Sequence, residues 1–434
     1  MTANLTYPSY QTGSGWAALL PKRTPKLVMP TDKSFDVAVI GAGVTGLAAA
    51  RRVAELEPNS RVLLIDATTI GEGSSGRNSG FLINMPHNTN MAGHGSPAEL
   101  ARAQIKLLDG GLSWIKSLID EHKIDCGWNP AGKYHAAATP QGEQSLRAVL
   151  EQYKEWGVDY RELGGDELKN TLGTDYYRYG FFSPNSVFVQ PAALVRGLAD
   201  SLPENVYLWE NEPVFSVEPG KPYVITTRSA SVKAGRVIIA NNGFARKLGF
   251  AKDRVFTIYT YAGITPQLDD DELGKLGASP EWGAIPANRL GTTLRKISSG
   301  RFMVRSAYSY EKENKISDVK AMLKSLYAKR YPNMKSHELE HVWGGVTALT
   351  GNGGLYFGCV RDGMYISICC NGAGLLKCSL FGKLLAEMAC GQQSNELATV
   401  MGFDRPSWLP PEPVRKLAIV SAINYQKFKA GRER

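Results

Sequence analysis

The chain has 434 residues, of which 43% are hydrophobic and 21% charged, and its formal net charge is +9. This length favours two domains over one small core. No apolar run reaches the roughly 18 residues that would predict a membrane-spanning helix. The first 34 residues lack the apolar stretch of a signal peptide, so the six cysteines predict reduced thiols in a cytoplasmic protein.

The basic excess is spread along the chain, apart from a basic tail from Lys427 to Arg434. This distribution favours a solvated basic surface over binding to nucleic acid or to a membrane. The six histidines are scattered, and they predict no metal site.

The N-terminal region predicts an arm followed by a βαβ unit. Residues 1–34 are rich in Pro, Ser and Thr without an apolar period, so we expect an extended arm over the surface. A strand over 35–40, a helix from about Thr45 to Glu55 and a strand over 61–66 then form a parallel βαβ unit.

A glycine-rich turn, Gly41-Ala-Gly43-Val-Thr-Gly46, joins the first strand of this unit to its helix. In this context Gly41 makes the tight turn, Gly43 admits a pyrophosphate and Gly46 allows close packing of helix and strand. The helix N-terminus attracts phosphates. Asp66 ends the next strand 20 residues after Gly46, where it would accept hydrogen bonds from an adenosine ribose.

A second glycine- and serine-rich segment runs from Gly71 to Phe81. Its composition is not that of a core segment. It predicts a loop held against a ligand by backbone N–H groups.

Helical and strand patterns alternate through the rest of the chain. Helices are predicted over 97–122 and 145–156, a buried strand over 236–240, and an antiparallel sheet within 254–309. A strand over 364–369 leads into Asn371-Gly-Ala-Gly374 and a helix to Cys390. Dinucleotide-type segments therefore recur at the beginning, middle and end, which indicates a discontinuous cofactor domain.

These motifs resemble the D-amino-acid oxidase superfamily of FAD enzymes, which includes glycine, sarcosine and gamma-glutamylputrescine oxidases. Further segments resemble that family: Phe188–Pro191, Glu212–Phe215, Val237–Gly243, Gly372–Lys377 and Gly382–Ala386. The N-terminal arm and the tail Leu409–Arg415 are most similar to the gamma-glutamylputrescine oxidase branch.

The resemblance implies an α/β fold, with a discontinuous Rossmann-type FAD-binding domain and an α+β substrate domain built on a mixed or antiparallel β-sheet. The predicted boundaries are an arm at 1–34, FAD-binding parts at 35–100, 186–253 and 341–400, substrate parts at 101–185 and 254–340, and a C-terminal extension at 401–434.

The resemblance also implies the cofactor contacts. Arg77 would be a cation near phosphate or flavin. Segment 343–352 has no cysteine where some relatives link flavin covalently, so we expect noncovalent FAD. The predicted FAD-binding residues are Gly41, Gly43, Val44, Thr45, Gly46, Asp66, Ala67, Ser74, Ser75, Arg77, Asn78, Ser79, Gly80, Val214, Ala240, Asn241, Gly372, Gly374, Leu375, Leu376 and Lys377.

The implied chemistry is oxidation of the C–N bond of an amine or amino acid by hydride transfer to flavin N5, followed by hydrolysis of the imine. Lys377 is a candidate for stabilising the reduced flavin, or else a surface lysine. Arg305 with Tyr308, and Tyr259 with Tyr261, are candidates for binding a substrate carboxylate, or else packing residues. His87 is a candidate site residue or a loop histidine.

The electron acceptor stays open between oxygen and another acceptor. Relatives that react with oxygen place a lysine over the flavin, whereas this chain has Met303 and Val304 there. One alternative function is an FAD dehydrogenase of a 2-hydroxy acid that passes electrons to a quinone or carrier protein. Another is a flavin-fold partner subunit without redox turnover. The sequence predicts neither the substrate nor the oligomeric state.

The C-terminal tail carries Val414, Leu417, Val420 and Ile423 near helical spacing. We expect this helix to pack on the FAD domain rather than on a membrane or a partner.

Overall fold

A computed structural model describes residues 6–26, 31–86, 96–334, 338–369 and 371–434. The candidate residue His87 lies outside these ranges.

The strands form two large sheets and one short ribbon. In chain order they are β1 (Ser34–Ile40), β2 (Val62–Ile65), β3 (Phe81–Leu82), β4 (Lys133–Ala137), β5 (Arg161–Gly164), β6 (Tyr179–Ser183), β7 (Val187–Phe188), β8 (Val206–Trp209), β9 (Val214–Glu218), β10 (Tyr223–Thr227), β11 (Ser231–Ile239), β12 (Val255–Ile264), β13 (Trp282–Pro286), β14 (Thr293–Ile297), β15 (Arg301–Tyr310), β16 (His341–Thr350), β17 (Tyr356–Arg361) and β18 (Met364–Ile368).

The helices cover the sheets and connect them. They are α1 (Gly15–Ala18), α2 (Val44–Leu56), α3 (Pro97–Glu121), α4 (Pro140–Trp156), α5 (Gly165–Leu172), α6 (Pro191–Asp200), α7 (Asp270–Gly274), α8 (Ile316–Arg330), α9 (Gly374–Ala389), α10 (Asn395–Met401) and α11 (Val414–Ala430), with 3₁₀ turns at Ser74–Gly76, Asn242–Leu248, Pro332–Met334 and Gly431–Glu433. In the part of the chain that the structure describes, no helix is both long and apolar enough to cross a bilayer.

The first sheet has the strand order β17-β18-β11-β1-β2-β8, and β9 and β10 extend it beside β11. Strands β18, β11, β1, β2 and β8 are parallel neighbours. In β1, Val37 and Val39 pack into one apolar cluster, and Ala38 and Ile40 into the other. A strand buried on both faces is typical of a parallel sheet between two layers. The predicted α/β fold class is confirmed.

The second sheet has the order β16-β12-β15-β14-β13-β4-β6-β5, and β12 to β15 supply its middle. Strand β15 alternates between two faces. Phe302 and Val304 pack with Leu323 of α8, and we call this side the α8 face. Met303 packs with Trp16 and Trp343, and we call this side the tryptophan face. The domain boundaries given above stay a prediction.

One short stretch of the N-terminal arm, residues 14–17, is buried, and the described residues on both sides of it are partly or fully exposed. Trp16 in α1 is 1% exposed, and its ring meets Trp343 edge-on at 6.2 Å between centroids. The Thr12 hydroxyl donates to the Val342 carbonyl of β16. Strand β16 is an edge strand with free backbone groups that need partners, and the arm supplies them.

Helix α11 packs on the second sheet rather than on the FAD-type sheet, which corrects the sequence expectation. Ile423 is buried against Ile258 of β12 and Tyr308 of β15. Lys427 Nζ donates to the Tyr308 carbonyl at 3.4 Å.

Helix α4 begins at Pro140, five residues before the predicted start at Ser145. The Thr139 side chain accepts a hydrogen bond from the Gly142 N–H, and a proline fits the first helical turn.

A buried arginine, held by an ion pair, connects the second sheet to the loop that follows β2. Arg295 of β14 lies 2.7 Å from Glu281, and their side chains are 2% and 3% exposed. The same guanidinium donates to the carbonyls of Ser79 at 3.0 Å and Val189 at 2.8 Å. Burial lowers the pKa of Arg295, and the Glu281 carboxylate opposes that shift.

Replacing Glu281 with glutamine should destabilise the protein strongly, because it leaves the Arg295 guanidinium buried without its counter-ion. We expect the free energy of unfolding to fall by about 3–5 kcal/mol, measured by urea titration of the holoprotein. Asp271→Asn removes a solvent-exposed pair with Lys275 and should leave the urea midpoint unchanged. Equal urea midpoints for the two variants would show that the buried ion pair does not stabilise the contact between the second sheet and the loop after β2.

Candidate cofactor and substrate site

The glycine turn lies at the carboxyl end of β1. Gly41 has a φ of +98°, which side-chain-bearing residues rarely adopt. A Cβ on Gly46 would lie 1.7 Å from the Gly41 carbonyl oxygen, and one on Gly43 would lie 2.8 Å from Ser75 Oγ. Gly43 caps α2 without a side-chain hydrogen bond. The N–H groups of the first helical turn, at Val44 and Thr45, therefore face the loop after β2 or a ligand.

Asp66 lies beside this turn. One carboxylate oxygen accepts the Ala42 N–H at 2.8 Å, and the other accepts the Thr68 N–H at 2.8 Å. Burial raises the pKa of Asp66, and hydrogen bonds from Thr68 and Ala42 oppose that shift. A carboxylate at this point, followed by the small Ala67, suits a ribose hydroxyl.

The loop after β2 folds over the start of α2. Ser75 Oγ accepts the Val44 N–H at 3.1 Å. Asn78 Nδ2 donates to the Ser75 carbonyl at 2.7 Å, and Asn78 Oδ1 accepts the Gly80 N–H at 2.9 Å. Ser74 Oγ lies 3.4 Å from the Tyr10 hydroxyl.

Arg77 anchors this loop from within. Its guanidinium donates to the carbonyls of Glu72 at 2.7 Å, Gly344 at 2.8 Å and Thr12 at 2.8 Å. The Tyr10 ring centroid lies 3.7 Å from the guanidinium carbon. These partners tie the loop to β16 and to the N-terminal arm, and a contact between Arg77 and FAD stays a prediction.

A buried polar atom without a partner lies on the other side of the turn. The Ala240 N–H donates to the Ile40 carbonyl at 2.9 Å, which continues β11 alongside β1. The next residue is Asn241. Its side-chain oxygen, Oδ1, is buried and has no hydrogen-bond partner among the described residues. A Cβ on Gly41 would lie 2.9 Å from the Asn241 backbone. Val214 is buried at the start of β9.

The turn after β18 is tightly constrained. Cys369, Asn371 and Gly372 all have positive φ angles. Asn371 Oδ1 accepts the Thr350 N–H at 3.0 Å, which ties this turn to the end of β16.

Helix α9 begins at Gly374 without a capping side chain, so the N–H groups around Leu375 and Leu376 lack a side-chain cap. Lys377 is half-buried and has no hydrogen bond or ion pair to any described residue. A Cβ on Gly382 would lie 2.1 Å from the Thr45 carbonyl oxygen, so α9 and α2 pack in close contact.

The structure separates the candidate substrate residues. Arg305 follows Met303 on the tryptophan face and donates to the Tyr308 hydroxyl at 3.2 Å. Tyr261 packs on the α8 face, and its hydroxyl lies 3.0 Å from Ser309 Oγ. Tyr259 is in the same cluster, and burial raises its pKa. Arg305 and Tyr308 are therefore together, and the two tyrosines of β12 lie on the opposite face.

The residues present fit a dinucleotide. The N-cap residues of α2 and α9 make no capping side-chain hydrogen bond, and apart from the Val44 N–H, which donates to Ser75, the first N–H groups of both helices are available to anionic atoms. Asn241 Oδ1 is buried without a partner beside the first of them. No cluster of three or more His, Cys, Asp or Glu side chains suited to a metal occurs in the described ranges.

Sequence reasoning missed Arg295, Glu281 and Trp16. Arg295 lies in the segment Thr-Leu-Arg-Lys-Ile, where alternation does not say which polar side chain turns inward. No motif marks these residues, because their roles come from contacts between distant segments.

The similarity of this chain to known proteins extends over most of its length. A family model described as "DAO: FAD dependent oxidoreductase" matches residues 36–388. A Rhizobium meliloti protein named probable oxidoreductase OrdL is 27% identical, with 96% of this chain and 97% of that protein covered. Escherichia coli K12 gamma-glutamylputrescine oxidoreductase is 25% identical, with 93% of each chain covered. The crystal structure of Geobacillus kaustophilus glycine oxidase has a TM-score of 0.72 at 20% identity, covering 86% of this chain and 97% of that one.

Gly43→Ala should weaken FAD binding, because the added methyl displaces Ser75 from its hydrogen bond to the Val44 N–H. We expect the dissociation constant for FAD to rise at least about tenfold, measured by quenching of flavin fluorescence on titrating apoprotein. Gly73→Ala is the matched control in the loop, since a Cβ there meets nothing within 4 Å. Unchanged affinity in Gly43→Ala would place the cofactor away from this turn.

Proposed function

The chain belongs to the DAO family of FAD-dependent oxidoreductases, and on that premise we propose that it oxidises the C–N bond of an amine or amino acid to an imine, which water hydrolyses. Membership makes the chain an enzyme rather than a subunit without turnover. FAD, when bound, supplies the hydride acceptor, N5 of its ring system. The proposed amine chemistry is supported by the relatives named for gamma-glutamylputrescine and for glycine.

Arg305 is the observation that carries this proposal. Its guanidinium has the Tyr308 hydroxyl as a partner and no carboxylate partner among the described residues. The Tyr308 hydroxyl in turn donates to the Arg289 carbonyl at 3.1 Å, which fixes its position. An oriented arginine without a counter-ion suits a substrate carboxylate. Glycine and gamma-glutamylputrescine each carry both an amine and a carboxylate.

The tryptophan face directs Arg305 towards the loop after β2. Ala262, the cross-strand neighbour of Arg305, packs with Trp16 and Trp343. Trp343 Nε1 donates to the Arg77 carbonyl at 3.0 Å, so this face meets the loop directly. A substrate held by Arg305 would therefore lie between the second sheet and the segments proposed to hold FAD.

We assign two supporting roles to the chain's own groups. The uncapped start of α9 and Lys377 would stabilise negative charge on the reduced cofactor. The apolar side chains of the tryptophan face would exclude water from the amine until the imine is formed. We further propose that FAD is held noncovalently.

The acceptor of the electrons is proposed to be oxygen or another small acceptor. Lys296, a buried lysine of β14, donates to the carbonyls of Leu273 and Gly277, and it is opposite Phe302 on the α8 face. Lys296 therefore does not lie on the same face of the sheet as Arg305.

The alternative function, oxidation of a 2-hydroxy acid with transfer of electrons to a quinone or carrier protein, would use the same carboxylate site.

Arg305→Gln should impair binding of carboxylate-bearing amines, because glutamine keeps polarity but loses the charge. We expect KM to rise about 100-fold, with kcat changing less, in steady-state assays with an amino acid substrate. Arg301→Gln is the control on the same face of β15, since Arg301 already pairs with Glu340. Equal KM values for Arg305→Gln and the wild type would remove Arg305 from the substrate site.

Anaerobic mixing with substrate should distinguish the two functions. The holoenzyme is expected to lose its flavin absorbance with an amine or amino acid and to retain it with 2-hydroxy acids. Ammonia should be released when the amine is primary. Readmission of oxygen, or addition of a quinone, then identifies the acceptor by peroxide or quinol formation. Bleaching by hydroxy acids alone would contradict amine oxidation.

A further inference from the structure

Helix α11 exposes four large apolar side chains on one side. Leu417 is 70% exposed, Tyr425 63% and Phe428 86%, and Val414 is also exposed. At 3.6 residues per turn, these four positions fall within an arc of about 80°. Ser421, also exposed, lies in the same arc, and the exposed Ala418 lies about 20° beyond its edge. Large apolar side chains in one row on a surface helix mark an interaction site.

The opposite side of the helix is the one that packs on the protein. Ile423 is half a turn away from the exposed row, and it is buried against the second sheet. Arg415 fixes the start of the helix by donating to the carbonyls of Pro410 and Lys252. The helix is therefore held in place with its apolar row outward. The sequence alone assigned Leu417 and Ile423 to one side, and the structure places them on opposite sides.

The charges of this segment indicate the partner. Between Val414 and Arg434 the chain has six basic side chains and one acidic one, Glu433. Glu433 is buried, and its carboxylate accepts the backbone N–H groups of Ala138 and Thr139. Lys416, Lys429 and Arg432 are exposed. Two copies meeting through this helix would bring two cationic segments together, so charge favours an anionic partner over a second copy.

We propose that the exposed side of α11 docks on the surface of an anionic lipid bilayer. An apolar row containing Leu, Tyr and Phe, with Lys429 at its border, is typical of a helix that lies in the membrane interface. The row would enter the headgroup region while Lys429, which borders the row on the helix, contacts lipid phosphates. At 1.5 Å per residue, the 17-residue helix would lie along about 25 Å of the surface.

Sedimentation with vesicles tests this inference. The full-length holoenzyme should pellet with vesicles of phosphatidylcholine mixed with phosphatidylglycerol, and much less with vesicles of phosphatidylcholine alone. Added salt should weaken the binding. Failure to pellet with the mixed vesicles would overturn the proposal.

Two variants separate the apolar and ionic contributions. Leu417→Ser/Phe428→Ser and the charge reversal Lys429→Glu should each lower vesicle affinity about tenfold or more. The matched controls are Met401→Ser, another exposed apolar residue, and Lys154→Glu, and these should bind like the wild type. Thermal melting and activity towards soluble substrate should be unchanged in all four variants, which distinguishes a docking defect from misfolding.

Two outcomes would contradict the proposal. In one, the α11 variants pellet as well as the controls. In the other, the wild type is a dimer without lipid and Leu417→Ser/Phe428→Ser makes it a monomer. The second result would assign the exposed side of α11 to self-association.

Discussion

Two buried guanidinium groups hold the loop after β2, and the candidate site depends on them. Arg77 projects from the loop to β16 and the arm, and Arg295 reaches the loop from β14. A buried arginine has to find acceptors for its N–H groups, and here most of these acceptors are backbone carbonyls. The path of the loop is therefore fixed by two strands of the second sheet and by the arm, and Ser75 can accept the N–H at the start of α2.

The same constraint explains why residues 14–17 of the N-terminal arm are buried. Strand β16 is an edge strand, and its outward carbonyls need donors. Arg77 supplies one donor and Thr12 another. Trp16 then fills the space between Trp343 and Arg295, whose guanidinium lies 5.4 Å from the Trp16 ring. The same contacts therefore cover the edge of β16 and anchor the loop after β2. They join residues, such as Thr12 and Val342, that are more than 300 positions apart.

The features predicted correctly from sequence are local ones. The unit from β1 through α2 to β2 depends on a glycine turn, a continuous apolar strand and one helix, all within about 30 residues. The orientation of Tyr261 could not be predicted, because strand alternation gives two faces without saying which one meets the cofactor. Arg295 and Trp16 were missed for a related reason, since their burial follows from contacts between distant segments. For α11, helical spacing was correct, but the side that packs is decided by the sheet beneath it.

The tryptophan face connects the substrate residues to the C-terminal helix. Tyr308 accepts a hydrogen bond from Arg305 through its hydroxyl and from Lys427 through its carbonyl, and its side chain packs with Ile423. The position of α11 therefore restricts Tyr308, and Tyr308 restricts the orientation of the Arg305 guanidinium. Because an arginine binds a carboxylate best in one fixed geometry, the packed side of α11 belongs to the support of the proposed substrate site. The exposed side of α11 takes no part in these contacts. The same helix can therefore support Tyr308 on one side and dock on a lipid surface, as proposed, on the other.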